Sequence, residues 1–156
     1  MAGLNQYSEL LLYLKQLAEA DSYVNTVTKG ENVELDKMTV FPSVHIDINS
    51  GTFPSGGTIQ FTVELSCWAI RDINKEVNTD KFWQNDNETD NLNETLATLN
   101  RMWRKLNRDW REKNITASDA PTLDAIKFDK KNLLDGWLMT FDVEMPNTSI
   151  NLCYPT

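Results

Sequence analysis

The apolar positions of this chain switch from helical spacing to strict alternation and back, and the switches divide it into elements. Leu4, Tyr7, Leu11, Leu14 and Leu17 recur at three- and four-residue steps, one face of a helix predicted over Leu4 to Ala20. Leu10, Leu12 and Tyr13 widen that face, so this helix is expected to be covered on more than one side. Asp21-Ser22 ends it. Tyr23 to Thr28 reads as a short β-branched strand, stopped by Lys29-Gly30. After Phe41-Pro42 the period becomes two, with Val44, Ile46 and Ile48 alternating with His45, Asp47 and Asn49. Gly51 and Gly56-Gly57 bracket an expected turn around Pro54. The clearest strand follows, setting Ile59, Phe61, Val63, Leu65, Cys67 and Ala69 against Gln60, Thr62, Glu64 and Ser66. Trp68 and Ile70 spoil its polar face at the far end, which calls for a cover there.

Asp72 to Asn91 is rich in Asn, Asp and Glu and is interrupted by Phe82-Trp83. Connections of that length are commonly functional or disordered. A second helix is predicted from about Asp90 to Lys113. Its Leu92, Leu96, Leu99, Trp103, Leu106 and Trp110 fall within roughly 80° of one another on a helical wheel. Asn114 to Thr122 reads as loop, Leu123 to Asp129 alternates, and Lys130 to Gly136 is expected to turn the chain. The last strand sets Trp137, Met139, Phe141, Val143 and Met145 against Leu138, Thr140, Asp142 and Glu144. This order predicts an α+β domain: a two-layer sandwich of a mostly antiparallel sheet with two long helices packed on one face. One domain is expected over residues 1–156, with an inserted loop at about 72–91 and a short tail at 147–156. A straight strand from Thr58 to Arg71 would extend about 46 Å, so either it kinks or the hairpin tip at Ser50 to Gly57 projects.

Composition narrows the function classes. A chain of 156 residues, 40% apolar, is long enough to bury an ordinary core. Its net charge of −8 argues against a protein whose main task is gripping nucleic acid, because phosphate contact needs clustered cations. The longest apolar run, Leu10 to Leu14, is far short of the roughly twenty residues that span a bilayer. No basic region precedes an apolar stretch at the start, so no secretory signal is expected. Cys67 lies inside a strand and Cys153 near the end, with no metal-type spacing between them.

Candidate chemistry is sparse. The single histidine, His45, shares a strand face with Asp47, a pair that acid–base work would use, yet a polar-face histidine on a half-exposed strand is the plainer reading. No nucleophile elbow, phosphate loop, dinucleotide fingerprint or zinc cluster is present. Asp86-Glu88-Asp90 and Asp142-Glu144 lack the fixed spacing and glycine pivot of a calcium loop. Catalytic, cofactor and metal residues are therefore expected to be none. The patterned charge is Arg101, Arg104, Arg108 and Arg111, which step by three and four along the second helix, opposite its Leu/Trp stripe. They form either a solvated ribbon balanced by Asp109 and Glu112 or a contact ribbon for an acidic neighbour or for passing nucleic acid. Phe82 and Trp83 either tuck under the sheet end near Trp68 and Ile70 or anchor in a neighbour's pocket.

The order of elements, the Phe41-Pro42-Ser43-Val44-His45-Ile46 phrase, the Leu-rich second helix and the closing Gly136-Trp137-Leu138-Met139-Thr140-Phe141 strand ending in Met145-Pro146 carry a likeness. Together they resemble the tail-terminator, or head–tail joining, proteins of tailed bacteriophages. The resemblance implies a non-enzymatic virion subunit, assembled in the host cytoplasm as a hexameric or twelve-fold ring. Its expected partners are the portal or tail tube and other neck proteins, with DNA only passing through the channel and no membrane contact. A binding adaptor of the same fold class and, further off, a small hydrolase are the alternatives. The Asp72–Asn91 loop, larger than a minimal domain needs, leaves ring order open.

Overall fold

The computed structural model describes residues 6–30, 40–72, 82, 87–112, 115–127 and 133–147. In chain order these form α1 (Gln6–Glu19), β1 (Thr26–Lys29), β2 (Ser43–Ser55), β3 (Thr58–Ile70), α2 (Glu88–Arg111), β4 (Thr116–Ala117), β5 (Thr122–Ile126) and β6 (Leu134–Pro146). The fold is α+β, with one six-stranded sheet and two helices. Trp83, Cys153 and most of the predicted 72–91 and 147–156 segments lie outside the described residues.

Strand order is β1-β2-β3-β6, with β4 and β5 sharing the other edge of β6. β2, β3 and β6 pair antiparallel over nearly their whole length, from Thr58↔Pro146 to Ile70↔Leu134. β1 departs from the hairpin pattern and runs parallel to β2, Thr26↔Ser43 through Lys29↔Ile46, so the sheet is mixed. A parallel neighbour needs a connection of about a dozen residues, and the chain between Lys29 and Ser43 supplies it.

α1 packs on β1 and β2, and α2 on β3 and β6. One set of alternate residues serves both: Val44 and Ile46 of β2, Phe61, Val63, Leu65 and Cys67 of β3, and Met139, Phe141, Val143 and Met145 of β6. Against them α1 buries Leu10, Leu14, Leu17 and Ala18. The buried side of α2 differs from the predicted stripe. It consists of Asn91, Thr95, Thr98, Leu99, Met102, Leu106 and Trp110, while Leu92, Leu96 and Trp103 are only half-buried. Relative to the Leu/Trp stripe this arc is turned by roughly 60° at about 100° per residue. The two threonines tolerate burial because each hydroxyl donates to a carbonyl one turn back, Thr95 Oγ1 to Asn91 O at 2.6 Å and Thr98 Oγ1 to Glu94 O at 2.9 Å. Burial also pushes the Cys67 thiol up to about 12, so it stays a protonated core residue.

Three further boundaries differ from expectation. The turn foreseen around Pro54 is strand, and the chain reverses only at Gly56-Gly57. β1 reaches no further than Ile46, so among the described residues Pro54 faces no second strand neighbour of β2 and its missing N–H breaks no ladder bond. Residues Asn49 to Gly57 are exposed, Phe53 at 72%, so this tip stands out from the body. β6 begins at Leu134 instead of Trp137, and Gly136 belongs to the strand. A Cβ there would collide with the carbonyl of Cys67, so glycine permits the close strand approach. The predicted loop Asn114 to Thr122 contains β4.

Polar ties close the far end of the sheet. Arg71 makes a bidentate pair with buried Asp135 at 2.8 and 2.6 Å and reaches Glu88 at 3.1 Å. Asn91 Nδ2 donates to Ile70 O at 2.9 Å, and Trp137 Nε1 to Leu92 O at 2.9 Å. These bonds fix where α2 leaves the sheet.

Candidate interaction surfaces

The arginine ribbon divides. Arg101 is engaged within the fold: Nε and Nη2 donate to Asp21 at 2.8 and 3.0 Å, joining α2 to the turn after α1. That hydrogen bonding holds the Asp21 carboxyl below the usual carboxylate range, with burial opposing, and raises the Arg101 guanidinium. Arg104, Arg108 and Arg111 are exposed and border a shallow groove of about 450 Å³ beside Trp103 and Asn107. Arg108 approaches Asp109 at 3.6 Å, and Asp109 itself accepts from the Tyr13 hydroxyl at 2.9 Å.

The Asp21–Arg101 pair has a pH signature. A depressed carboxyl stabilises the fold above its unfolded value, and the contribution disappears as pH falls through the folded value. Arg101→Ala should therefore cost about 1 kcal/mol near neutrality, a modest figure because the guanidinium is half exposed. The difference from the parent should vanish in acid. Urea titrations of both proteins between pH 7 and pH 2 measure this; a pH-independent difference would mean that packing, not charge, is what Arg101 contributes.

Phe82 is 80% exposed and does not form part of the core cluster. Trp68, whose cover was in question, instead stacks on His45 with ring centroids 6.3 Å apart. Ile70 remains exposed.

His45 is buried and both ring nitrogens are engaged, Nδ1 with Thr28 Oγ1 and Nε2 with Gly30 O, each at 2.7 Å. Since a carbonyl only accepts, Nε2 carries a proton and donates. The ring thereby ties β1 to β2. It has no bond to Asp47.

Around His45 spreads the sheet face turned away from the helices. Strand register brings Asp47, Glu64, Asp124, Asp142 and Glu144 onto it, and among the described strands no lysine or arginine joins them. Lys29 points to the helix side, beside Leu12 and Val27. Thr62 Oγ1 donates to Asp142 at 2.7 Å and Thr58 Oγ1 to Glu144 at 2.8 Å. Asp47 and Glu64 are direct cross-strand neighbours. Like charges so placed destabilise a sheet, so this surface carries more negative charge than folding asks for. A depression of about 200 Å³ lies between them and Trp68, Ile126 and Leu138.

Two apolar grooves lie on the helix side, one at each edge of the sheet. The first, about 360 Å³, runs between α1 and β1 along Leu11, Leu12 and Val27. The second, about 420 Å³, runs between α2 and the start of β5 along Leu96, Trp103, Pro121, Leu123 and Met139. Sequence periodicity hid both. Leu12 was assigned to a widened helix face and Leu96 and Trp103 to the core stripe, because periodicity shows which residues share a face and not where a neighbouring element stops covering it.

Among the described residues no group of three or more His, Cys, Asp or Glu is placed to hold a metal ion, and no helix is long and apolar enough to cross a membrane. No protein-family model matches the chain, and no curated protein sequence matches it.

Proposed function

We propose that the protein is a non-enzymatic structural subunit of a tailed-bacteriophage virion, a tail-terminator or head–tail joining protein. It assembles as a hexameric or twelve-fold ring around the DNA channel. The observation that carries this reading is the acidic outer face of the sheet. In a two-layer sandwich the helices cover one side, and the side left open is built from Asp47, Glu64, Asp124, Asp142 and Glu144. Turned to the channel, such a face repels phosphates and lets DNA slide without sticking, by the electrostatics that make basic surfaces bind it. The cross-strand Asp47–Glu64 repulsion fits a surface selected for its field. His45, fully engaged in holding β1, is spared any acid–base role. Phe82 and Trp83 serve as anchors toward a portal, tail-tube or neck neighbour, and Arg104, Arg108 and Arg111 face an acidic one.

Asp47→Lys with Glu64→Lys should leave the fold and the incorporation of the subunit into particles unchanged. It should slow DNA delivery by about tenfold or more, since cations in the lumen hold the phosphates. Particle proteomics, negative-stain imaging of rings and infectivity counts measure the three quantities. Absence of the protein from purified particles would sink the reading. Full infectivity of the double variant would remove the sheet face from the channel.

A further inference from the structure

We propose that α2 carries a two-part docking groove for a helical segment of a different protein, a segment apolar at one end and acidic at the other. The inference deepens the ring reading and rests on it for the partner being a neck or tail neighbour. The apolar groove beside Pro121 and the arginine-lined groove share Trp103 and follow one another along the helix. Leu96, Asn100, Trp103, Asn107 and Arg111 line them, and at about 100° per residue these five fall within roughly 80° of one another. The two grooves therefore form one track. At 1.5 Å per residue it is roughly 22 Å long, about four helical turns.

The halves of the track differ in chemistry. Leu96, Pro121 and Leu123 make the first half apolar, with Leu123 44% exposed. Arg104, Arg108 and Arg111 border the second half, and all three are exposed. Among the described residues Arg104 and Arg111 make no ion pair, and Arg108 has only its 3.6 Å approach to Asp109. Glu112 stands on the same rim and pairs with none of them. Arg108 lies four residues from Arg104 and three from Arg111, spacings at which like charges oppose a helix. The ribbon thus weakens the isolated helix slightly, and an anionic partner relieves it.

Geometry and charge select the occupant. Guanidinium forks match carboxylates in bidentate pairs, and tryptophan beside arginine is the composition of an interface hot spot. Steps of four and three residues set the arginines about 6.0 and 4.5 Å apart along the axis. A second helix alongside repeats those steps with acids one and two turns apart. Carboxylates on one face of a strand recur about every 6.7 Å and fall out of step. A nucleic acid matches only half of the track: three arginines neutralise few phosphates, and the apolar half offers a phosphate chain nothing. A second copy is a poorer match too, because the ring reading turns the carboxylates of its sheet to the channel.

The probes are synthetic helical peptides of about four turns, with leucines over two turns and glutamates over the next two. They are made in both orders, so that either helix direction is covered. Fluorescence anisotropy with the full chain should show one order binding, with an affinity that falls as salt rises. Glutamine in place of glutamate should weaken binding by about tenfold or more. Arg104→Glu with Arg108→Glu should lose the glutamate peptide and gain its lysine counterpart, and Leu123→Glu should weaken the glutamate peptide by blocking the apolar half. These substitutions fall at exposed positions, and unchanged melting curves would confirm that each variant folds. Failure of both glutamate peptides, equal binding of the glutamine peptide, or a double variant that binds like the parent would each overturn the proposal. So would an oligo-dT strand that displaces the peptide and binds more tightly, since the groove would then be a nucleic-acid track. Release of monomers from the parent's assemblies by the peptide, seen in mass photometry, would make it a contact between copies instead. Rings in particles without peptide binding would leave the ring reading standing and remove this groove. Peptide binding by a protein absent from particles would do the reverse.

Discussion

Replacing Asp135 by alanine should lower the stability of the fold by about 3–4 kcal/mol. Asp135 is fully buried, and its carboxylate accepts two short bonds from Arg71. The Arg71 side chain is itself only 11% exposed. Truncating the acid removes this bidentate partner from a nearly buried guanidinium, and Glu88, one third exposed and 3.1 Å away, does not reproduce its geometry. Total domain stabilities run from about 5 to 15 kcal/mol, so a loss of this size is a large fraction of the whole. Urea denaturation should show a lower midpoint with an unchanged slope. The charge explanation has its own control. Arg71→Met combined with Asp135→Leu removes both ions together and should recover a large part of the loss, because apolar replacements of buried pairs are commonly near neutral. A double variant as unstable as the single one would assign the effect to shape at this site.

The Arg71–Asp135 pair also marks where sequence reading stops. Asp135 lies within the Lys130–Gly136 stretch that the pattern assigned to a turn, and its partner lies 64 positions away. Periodicity located both helices and β2, β3 and β6 because each buries one side against a single layer, which imprints a period of 3.6 or 2 on the chain. The parallel placement of β1 left no such imprint, since four residues carry too little period to tell a hairpin partner from a crossover partner. α2 misled in a specific way. Threonine counts as polar in a stripe, yet Thr95 and Thr98 satisfy their hydroxyls within the helix and are buried, and Leu96 is turned out to the groove beside Pro121.

The candidate surfaces follow the same logic. The arginine ribbon was legible because spacing along one helix fixes a shared face, but the engagement of Arg101 with Asp21, 80 positions earlier, depends on how α2 crosses the turn after α1. The carboxylates of the outer sheet face were each visible as polar alternation. That they form one surface depends on the register of four strands, and a one-residue slip in any of them would have dispersed it.

Two tryptophans that the sequence treats as equals should differ sharply in their contribution. Trp110 is buried to 3% exposure, with Tyr13 at 5.4 Å and Phe141 at 6.5 Å between ring centroids. It fills the space between α2, α1 and β6, and the neighbouring Tyr13 hydroxyl is fixed by Asp109, which together with burial raises its titration. Trp110→Ala should cost about 3–5 kcal/mol, the range for emptying a buried aromatic site that collapses only in part. Trp103 meets Phe141 edge to face at 5.1 Å, but its other side borders two surface grooves that follow one another along α2. Part of its surface is already in water, so Trp103→Ala should cost only about 1–2 kcal/mol, the edge contact plus partial burial. Chemical denaturation of the two single variants decides it. Equal losses would restore the Leu92–Trp110 stripe as the buried face of α2. A larger loss at Trp110, with Trp103→Ala folded but impaired in binding the glutamate peptide, would place Trp103 at the surface where the acidic partner docks.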